Sequence, residues 1–422
     1  MRLWKSAALA SALAAFALPA HAADFAPSSP TVPSWTGPYL GLLAGASFGS
    51  VDSAEEAIPG LAPELNVSFG ETDANIGIYA GYNWQFHPRY VMGVEAEASW
   101  VHADLGNPFD GVPEDAVNID TVAALSARLG VLVTPETLLY VKGGVAFIDG
   151  EANIGFAADP VDDLLVGAHV GLGVESMLTH FFAVRAELAY TFVEEGYEVD
   201  FTSYEPSFLQ ARIGGAFKFG TQQIEAPAAP AIETDWTGFH FGGHLEGQGA
   251  NTGYDEILLN GEQFADLRVG GGGQIGFDYA FQRLVVGVEA SGTWTDLAFE
   301  DEGLGDAEVF AEVDAIYAVT GRLGFLVTPA SLIYAKGGAA WIRTTVTDDA
   351  AAVFGTEGDE DTLQGYQVGG GIETLVGNNV SLRVEGLYTK ATDEITFDGA
   401  QPDDFAVQPE IFSARLGASY RF

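Results

Sequence analysis

Charged residues of both signs occupy matching slots in the two halves of the chain. Glu95, Arg128, Lys142, Glu175, Arg185, Glu187 and Arg212 return, in order and in kind, as Glu289, Arg322, Lys336, Glu373, Arg383, Glu385 and Arg415. Acids and bases held on one face can neutralise one another, so the chemistry expected first is ion pairing. A hydrolase would need Ser or Asp beside His near a rim. His87 and His180 fall in predicted tight turns, and the predicted long loops hold almost no histidine, so no enzyme is expected. His240 and His244 would suit zinc on a helix, but on a strand they share a face roughly 13 Å apart, which is poor ligand geometry. Gly270 to Gly273 lacks the Lys-Ser/Thr of a phosphate loop and reads better as clearance in a crowded interior. The chain has no cysteine, which removes disulfides and thiolate metal sites; no metal site and no cofactor are expected.

The elements that must carry these charges are strands. Period-two alternation bounded by turn residues predicts strands near 37–49, 75–86, 89–101, 119–134, 138–149, 163–178, 180–193 and 206–219, and the second half repeats the count. Tight turns are expected at His87-Pro88, Pro135-Glu136 and Thr179-His180, and long connections at 50–74, 102–118, 150–162 and 194–205. Short turns on one side and long loops on the other are the asymmetry of outer-membrane barrels. Between His180 and Val193, Phe182, Val184, Ala186, Leu188, Tyr190 and Phe192 share one face, while Arg185, Glu187, Ala189 and Thr191 share the other. A soluble sandwich would bury the first face, whereas a membrane barrel would turn it to lipid and enclose the charges. Aromatics at strand ends, Tyr39, Trp84, Trp100, Tyr190 and Phe219, read as interfacial girdles and favour lipid.

The repeat extends well beyond the charges. Trp35-Thr36-Gly37 returns as Trp236-Thr237-Gly238, and Val91 to Trp100 as Val285 to Trp294. Arg128-Leu129-Gly130, leading to Thr134-Pro135, returns as Arg322-Leu323-Gly324 leading to Thr328-Pro329, and Tyr140-x-Lys142-Gly-Gly returns at Tyr334. This is a tandem duplication. The expected organisation is a signal peptide over 1–22, a short segment over 23–34, a first eight-stranded barrel over 35–220, a Pro/Ala-rich linker over 221–235 and a second barrel over 236–422. The alternative is one sixteen-stranded barrel with a water-filled channel. Arg2 and Lys5, the apolar run from Ala7 to Leu18 and the small residues Ala20 and Ala22 carry the signal-peptide reading. Only 18% of the 422 residues are charged, yet the formal net charge is −42, which excludes a basic nucleic-acid surface.

These motifs together resemble the small outer-membrane barrels of alphaproteobacteria, the outer-membrane immunogenic proteins, and more distantly the barrel of outer membrane protein A. The residues that carry the resemblance are Trp-Thr-Gly opening the first strand, Gly93-Val94-Glu95-Ala96, Arg-Leu-Gly before Thr-Pro, Tyr-x-Lys-Gly-Gly and the closing aromatics Tyr420 and Phe422. The resemblance implies an all-β transmembrane up-and-down barrel whose Tyr420 and Phe422 signal insertion to the barrel-assembly machinery. It also implies an outer-membrane location with both termini periplasmic, and outer loops that meet host cells, antibodies or phage. Outer-membrane lipid and lipopolysaccharide are the expected partners, and acidic segments such as Glu300-Asp301-Glu302 and Gly358-Asp359-Glu360-Asp361 are candidates for loose divalent-cation contacts. Two functions stay open: a structural and surface-interaction protein with a charge-paired lumen, or a passive diffusion channel.

Overall fold

The computed structural model describes residues 31–55, 65–105, 117–152, 161–193, 195–199, 202–220, 223–225, 235–254, 265–301, 308–346, 360–397 and 405–422. The signal-peptide residues Ala20 and Ala22 lie outside these, as do Glu302, Gly358 and Asp359. After a short β1 (Thr31–Pro33), the first copy runs through β2 (Gly37–Glu55), β3 (Leu65–His87), β4 (Tyr90–Leu105), β5 (Val117–Thr134) and β6 (Thr137–Ala152). It continues with β7 (Val161–Met177), β8 (Phe182–Val193), the short β9 (Tyr197–Val199) and β10 (Thr202–Lys218). After β11 (Gln223–Glu225), the second copy repeats the plan as β12 (Gly238–Tyr254), β13 (Ala265–Phe281), β14 (Leu284–Asp301), β15 (Glu308–Thr328) and β16 (Ser331–Val346). Its remaining strands are β17 (Glu360–Leu375), β18 (Val380–Ala391), β19 (Ile395–Phe397) and β20 (Phe405–Arg421).

Within each copy the long strands pair antiparallel in sequence order, and the last long strand returns to the first long strand of the same copy, β10 to β2 and β20 to β12. Gly45 faces Arg212 across the first closure and Glu246 faces Arg415 across the second. β9 follows β8 along the same edge of β10, so each copy is a closed barrel of eight staves rather than half of a sixteen-stranded one.

Alternation sets the two faces of the wall. Along β5, Ser126 and Arg128 are buried while Leu125 and Leu129 are exposed; along β6, Lys142 and Ala146 are buried while Val141, Val145 and Phe147 are exposed. The large exposed residues are apolar and the buried mid-strand ones are charged, the reverse of a soluble sandwich. Leu42, Leu125 and Val288 keep about 60% of their surface exposed (61%, 59% and 61%), an arrangement that hydrocarbon solvates and water does not.

Several expectations need correction. The strands run further than alternation alone indicated: Val51 and Phe69, within the predicted long connection 50–74, are strand residues that face inward. Backbone pairing continues past the apolar band because water-facing strand positions can be polar, as at Asp149, Glu151 and Asp163. About ten tilted residues cross hydrocarbon, and these strands reach 23. Glu300, Asp301, Glu360 and Asp361 accordingly sit on strands and not in loops. The segment 221–235 is not wholly a linker, since β11 pairs with β1, setting Ile224 opposite Val32 and tying the entry of the first copy to its exit. Trp84, Trp100 and Phe219 are exposed as girdle residues should be, but Tyr39 turns inward, where its hydroxyl finds a carboxylate.

Replacing Val288 with Arg, at mid-strand on the lipid face, should destabilise the folded protein by about 2–4 kcal/mol in urea unfolding from lipid vesicles. Asp149→Arg, beyond the apolar band, should change it by less than about 1 kcal/mol.

Candidate functional site

The inward side chains of the first barrel stack in three layers. At the tight-turn end Trp35, Val91, Leu132, Leu138, Tyr140, Met177 and Ala183 form an apolar plug. At the opposite end Val51, Phe69, Val101, Val117, Ile119, Ile148, Tyr197, Tyr204 and Phe208 belong to a second. The predicted charges lie between the two. Glu95, Arg128, Lys142, Glu175, Arg185, Glu187 and Arg212 are all buried, and each meets an opposite charge.

The pairs join into one network. Arg185 donates from Nη1 and Nη2 to the two oxygens of Glu95, at 3.1 and 2.9 Å, and from Nη2 to Glu175 at 3.0 Å. Arg128 reaches Glu175 at 2.9 Å, and Lys142 lies 3.2 Å from Glu95 and 2.9 Å from Glu187. Arg212 is bound to Glu187. Tyrosines complete the shell: the hydroxyl of Tyr39 donates to Glu95 at 2.8 Å and that of Tyr140 to Glu187 at 2.6 Å, while the Tyr79 ring lies 3.9 Å from the Arg185 guanidinium carbon. Burying these charges unpaired would cost several kcal/mol each, so the network must be complete to be tolerated.

The second barrel repeats the scheme. Glu289, Arg322, Lys336, Glu373, Arg383, Glu385 and Arg415 are buried, with Arg322–Glu373 at 2.7 Å, Arg383–Glu289 at 2.7 Å and Lys336–Glu385 at 2.8 Å. Trp236, Val285, Ala330, Leu332, Tyr334 and Leu375 form its turn-end plug. The repeated motifs, distant in sequence, meet here. Each opening Trp donates its indole N–H to the carbonyl of the Thr-Pro turn, Trp35 to Pro135 at 3.1 Å and Trp236 to Pro329 at 3.0 Å. Each Tyr-x-Lys supplies a hydroxyl and an ammonium to the same glutamate, Glu187 or Glu385.

Other members of the site went unread, most of them because they break the repeat. Glu97, two residues beyond Glu95 on the same face, binds Lys142, lies 2.9 Å from Arg212 and approaches His169 at 3.4 Å. The second copy has Ser291 at that slot, and its Arg415 is bound instead by Glu246, where the first copy has Gly45. Asn83 corresponds to Asp278, which binds Arg322 and lies 2.7 Å from Arg421. Lys218 and Arg421, six residues past Arg212 and Arg415, end the last strands; Lys218 lies 2.7 Å from Glu175 with Trp35 beneath it, and Arg421 lies 3.1 Å from Glu373. Inward alternation reaches all of them, the matched pair Lys218 and Arg421 included.

Among the described residues, the first lumen sets Glu95, Glu97, Glu175 and Glu187 against Arg128, Lys142, Arg185, Arg212 and Lys218; the second sets Glu246, Asp278, Glu289, Glu373 and Glu385 against Arg322, Lys336, Arg383, Arg415 and Arg421. The acidic surplus of the chain is therefore carried outside the lumens. His240 and His244 point inward but serve as packing polars: His240 approaches Asp278 at 3.5 Å, and the two ring nitrogens of His244 engage Gln274 at 2.7 Å and Thr293 at 2.9 Å. Tyr420 and Phe422 lie exposed at the end of the closing strand, clustered with Phe241.

An apolar outer band around a charge-filled interior defines an integral membrane β-barrel. A family model described as an outer membrane protein beta-barrel domain matches residues 8–217 and again 224–422, and the chain belongs to that family. It is similar to the 31 kDa outer-membrane immunogenic protein of Brucella melitensis, 30% identical over 244 residues that cover 51% of this chain and 100% of that protein. It is also similar to the 22 kDa outer membrane protein of Rhizobium leguminosarum bv. viciae, 30% identical over 167 residues, covering 39% of this chain and 68% of that protein. Among solved structures, the N-terminal β-barrel domain of Pseudomonas aeruginosa OprF matches at 15% identity with a TM-score of 0.24, covering 42% of this chain and 99% of that one. The protein is thus an outer-membrane β-barrel protein built by tandem duplication of one family domain.

Arg415→Leu should destabilise the second barrel by about 3–5 kcal/mol, because it strands Glu246 in the lumen. Adding Glu246→Leu should recover part of that loss in urea unfolding, because the double change leaves no stranded carboxylate at that position and the two effects are therefore not additive.

Proposed function

We propose that the protein is a closed envelope protein of the outer membrane, with a structural and surface-interaction role, and not a conduit. One observation carries the reading: in the first barrel the ion network is sealed between apolar plugs at both ends. Hydrated solutes would have to displace Trp35 and its neighbours and then break pairs whose members expose 8% or less of their surface. An eight-stranded barrel is just wide enough for its side chains to fill.

The strands that rise past the apolar band lift polar surface clear of the bilayer, which suits contact with lipopolysaccharide, with divalent cations bridging acidic side chains to its phosphates, or with a host surface. The Brucella relative is named an immunogenic protein, and exposure to antibodies demands such a surface. Export by a cleaved signal peptide, periplasmic termini and insertion guided by Tyr420 and Phe422 complete the proposal.

In planar bilayers the purified protein should give small or intermittent conductance, and Arg185→Ala, which removes the cation linking Glu95, Glu175 and Glu187, should raise its frequency. A large, steady conductance from the unaltered protein would refute the closed reading and favour a passive diffusion channel.

A further inference from the structure

On one side of each barrel the outward face is not exposed. Along β8 both faces are buried: Arg185 and Glu187 look inward, yet Val184, Ala186 and Leu188, which alternation turns outward, keep only 8%, 4% and 8% of their surface. Leu209 and Ala211 on β10 behave in the same way, whereas outward residues on β4 and β14, such as Val94 and Val288, are open. What covers the buried face is the other barrel. Val184, Ala186 and Ala211 share one apolar cluster with Val384, Phe412 and Ala414 of the second copy.

Small residues let the walls approach. A Cβ on Gly386 would lie 2.6 Å from Ala211 Cβ, and one on Gly249 would lie 2.1 Å from the Phe48 ring, so neither position accepts a side chain without separating the barrels. In hydrocarbon no hydrophobic force draws two apolar surfaces together, and close packing of small residues with shared hydrogen bonds takes its place. Such bonds are present. Thr137 Oγ1 lies 3.0 Å from Ser331 Oγ, which also contacts Ser176 Oγ at 3.1 Å and Thr374 Oγ1 at 3.0 Å. These four hydroxyls are fully buried, and their carriers are two equivalent pairs: Thr137 corresponds to Ser331 and Ser176 to Thr374. Further along the contact, Asn251 Nδ2 donates to Gly70 O at 3.4 Å.

Equivalent residues meeting one another is the mark of an isologous, two-fold contact, the kind that joins identical subunits. We propose that this lipid-side face is a built docking surface whose partner is the matching face of the other copy, so that the chain works in the bilayer as a covalently joined pseudo-dimer. Duplication then did more than double the barrel: it fixed a side-by-side pair at high effective concentration. The residues used are outward ones that neither lumen requires, so the pairing is independent of whether the lumens conduct.

The absence of native cysteine makes a direct test simple. The full chain carrying Thr137→Cys and Ser331→Cys, folded in lipid vesicles and shown to be heat-modifiable on a gel, is treated with a lipid-soluble copper–phenanthroline oxidant. A near-complete disulfide within one chain is expected, with little in a control carrying Val94→Cys and Val288→Cys on open lipid faces. Equal yields in the two, or a product of doubled mass as the main species, would overturn the proposal. Adding Ala211→Trp should lower the cross-linking rate by about tenfold or more with heat-modifiability retained; an unchanged rate in a folded protein would also overturn it.

Discussion

Inside a bilayer every backbone N–H and C=O must find its partner within the protein, because hydrocarbon offers none. Sheet edges are therefore forbidden, and the pairing of the last long strand with the first is the contact on which the rest depends. Here that requirement is met twice, by β10 on β2 and by β20 on β12. Closure fixes the number of staves, the number of staves fixes the bore, and the bore leaves the inward side chains no choice but to touch. Charge then becomes a packing problem as much as an electrostatic one.

The lumen solves it by connectivity. Most of the lumen cations touch more than one acid: Arg185 spans three glutamates and Lys142 contacts three, while Lys218 pairs with Glu175. Arg128 and Lys142 stand directly opposite each other on neighbouring strands, a like-charge placement that would be unfavourable alone. It is tolerable because Glu95 lies against both cations and each also reaches a second carboxylate, Glu175 for the arginine and Glu187 for the lysine. The apolar plugs add a second condition by keeping water from competing for the pairs, which strengthens each attraction inside while raising the cost of any gap.

Most of this was legible in the sequence, for a physical reason. A one-residue slip would move Glu95 or Arg185 from lumen to lipid, so the register is tightly specified and the period-two pattern is clean through the apolar band. Beyond that band both sides of the wall tolerate polar residues, the contrast fades, and the upper parts of β2 and β3 read as loop. Tyr39 was misread because an aromatic near a strand end fits a girdle as well as a lumen; its parity with Leu43, rather than its type, places it inside. The face between the barrels was not legible, since Ala186 or Ala211 beside lipid and Ala186 or Ala211 beside another wall make the same alternation. Only the covering surface, which comes from residues nearly two hundred positions away, distinguishes them.

The two interiors also solve the same arithmetic with different letters. Where one copy gives Arg212 its acid from Glu97, the other uses Glu246; where one has a neutral Asn83 and holds Lys218 on Glu175, the other sets Arg421 on Asp278. Strands from the two halves are consequently no longer interchangeable parts. Gene conversion that copied β4 or β12 alone from one repeat into the other would deliver an acid with no base or a base with no acid, so sequence exchange between the repeats is tolerable only in tracts long enough to carry a whole compensated set, and the halves are driven to drift apart as two heritable dialects of one fold.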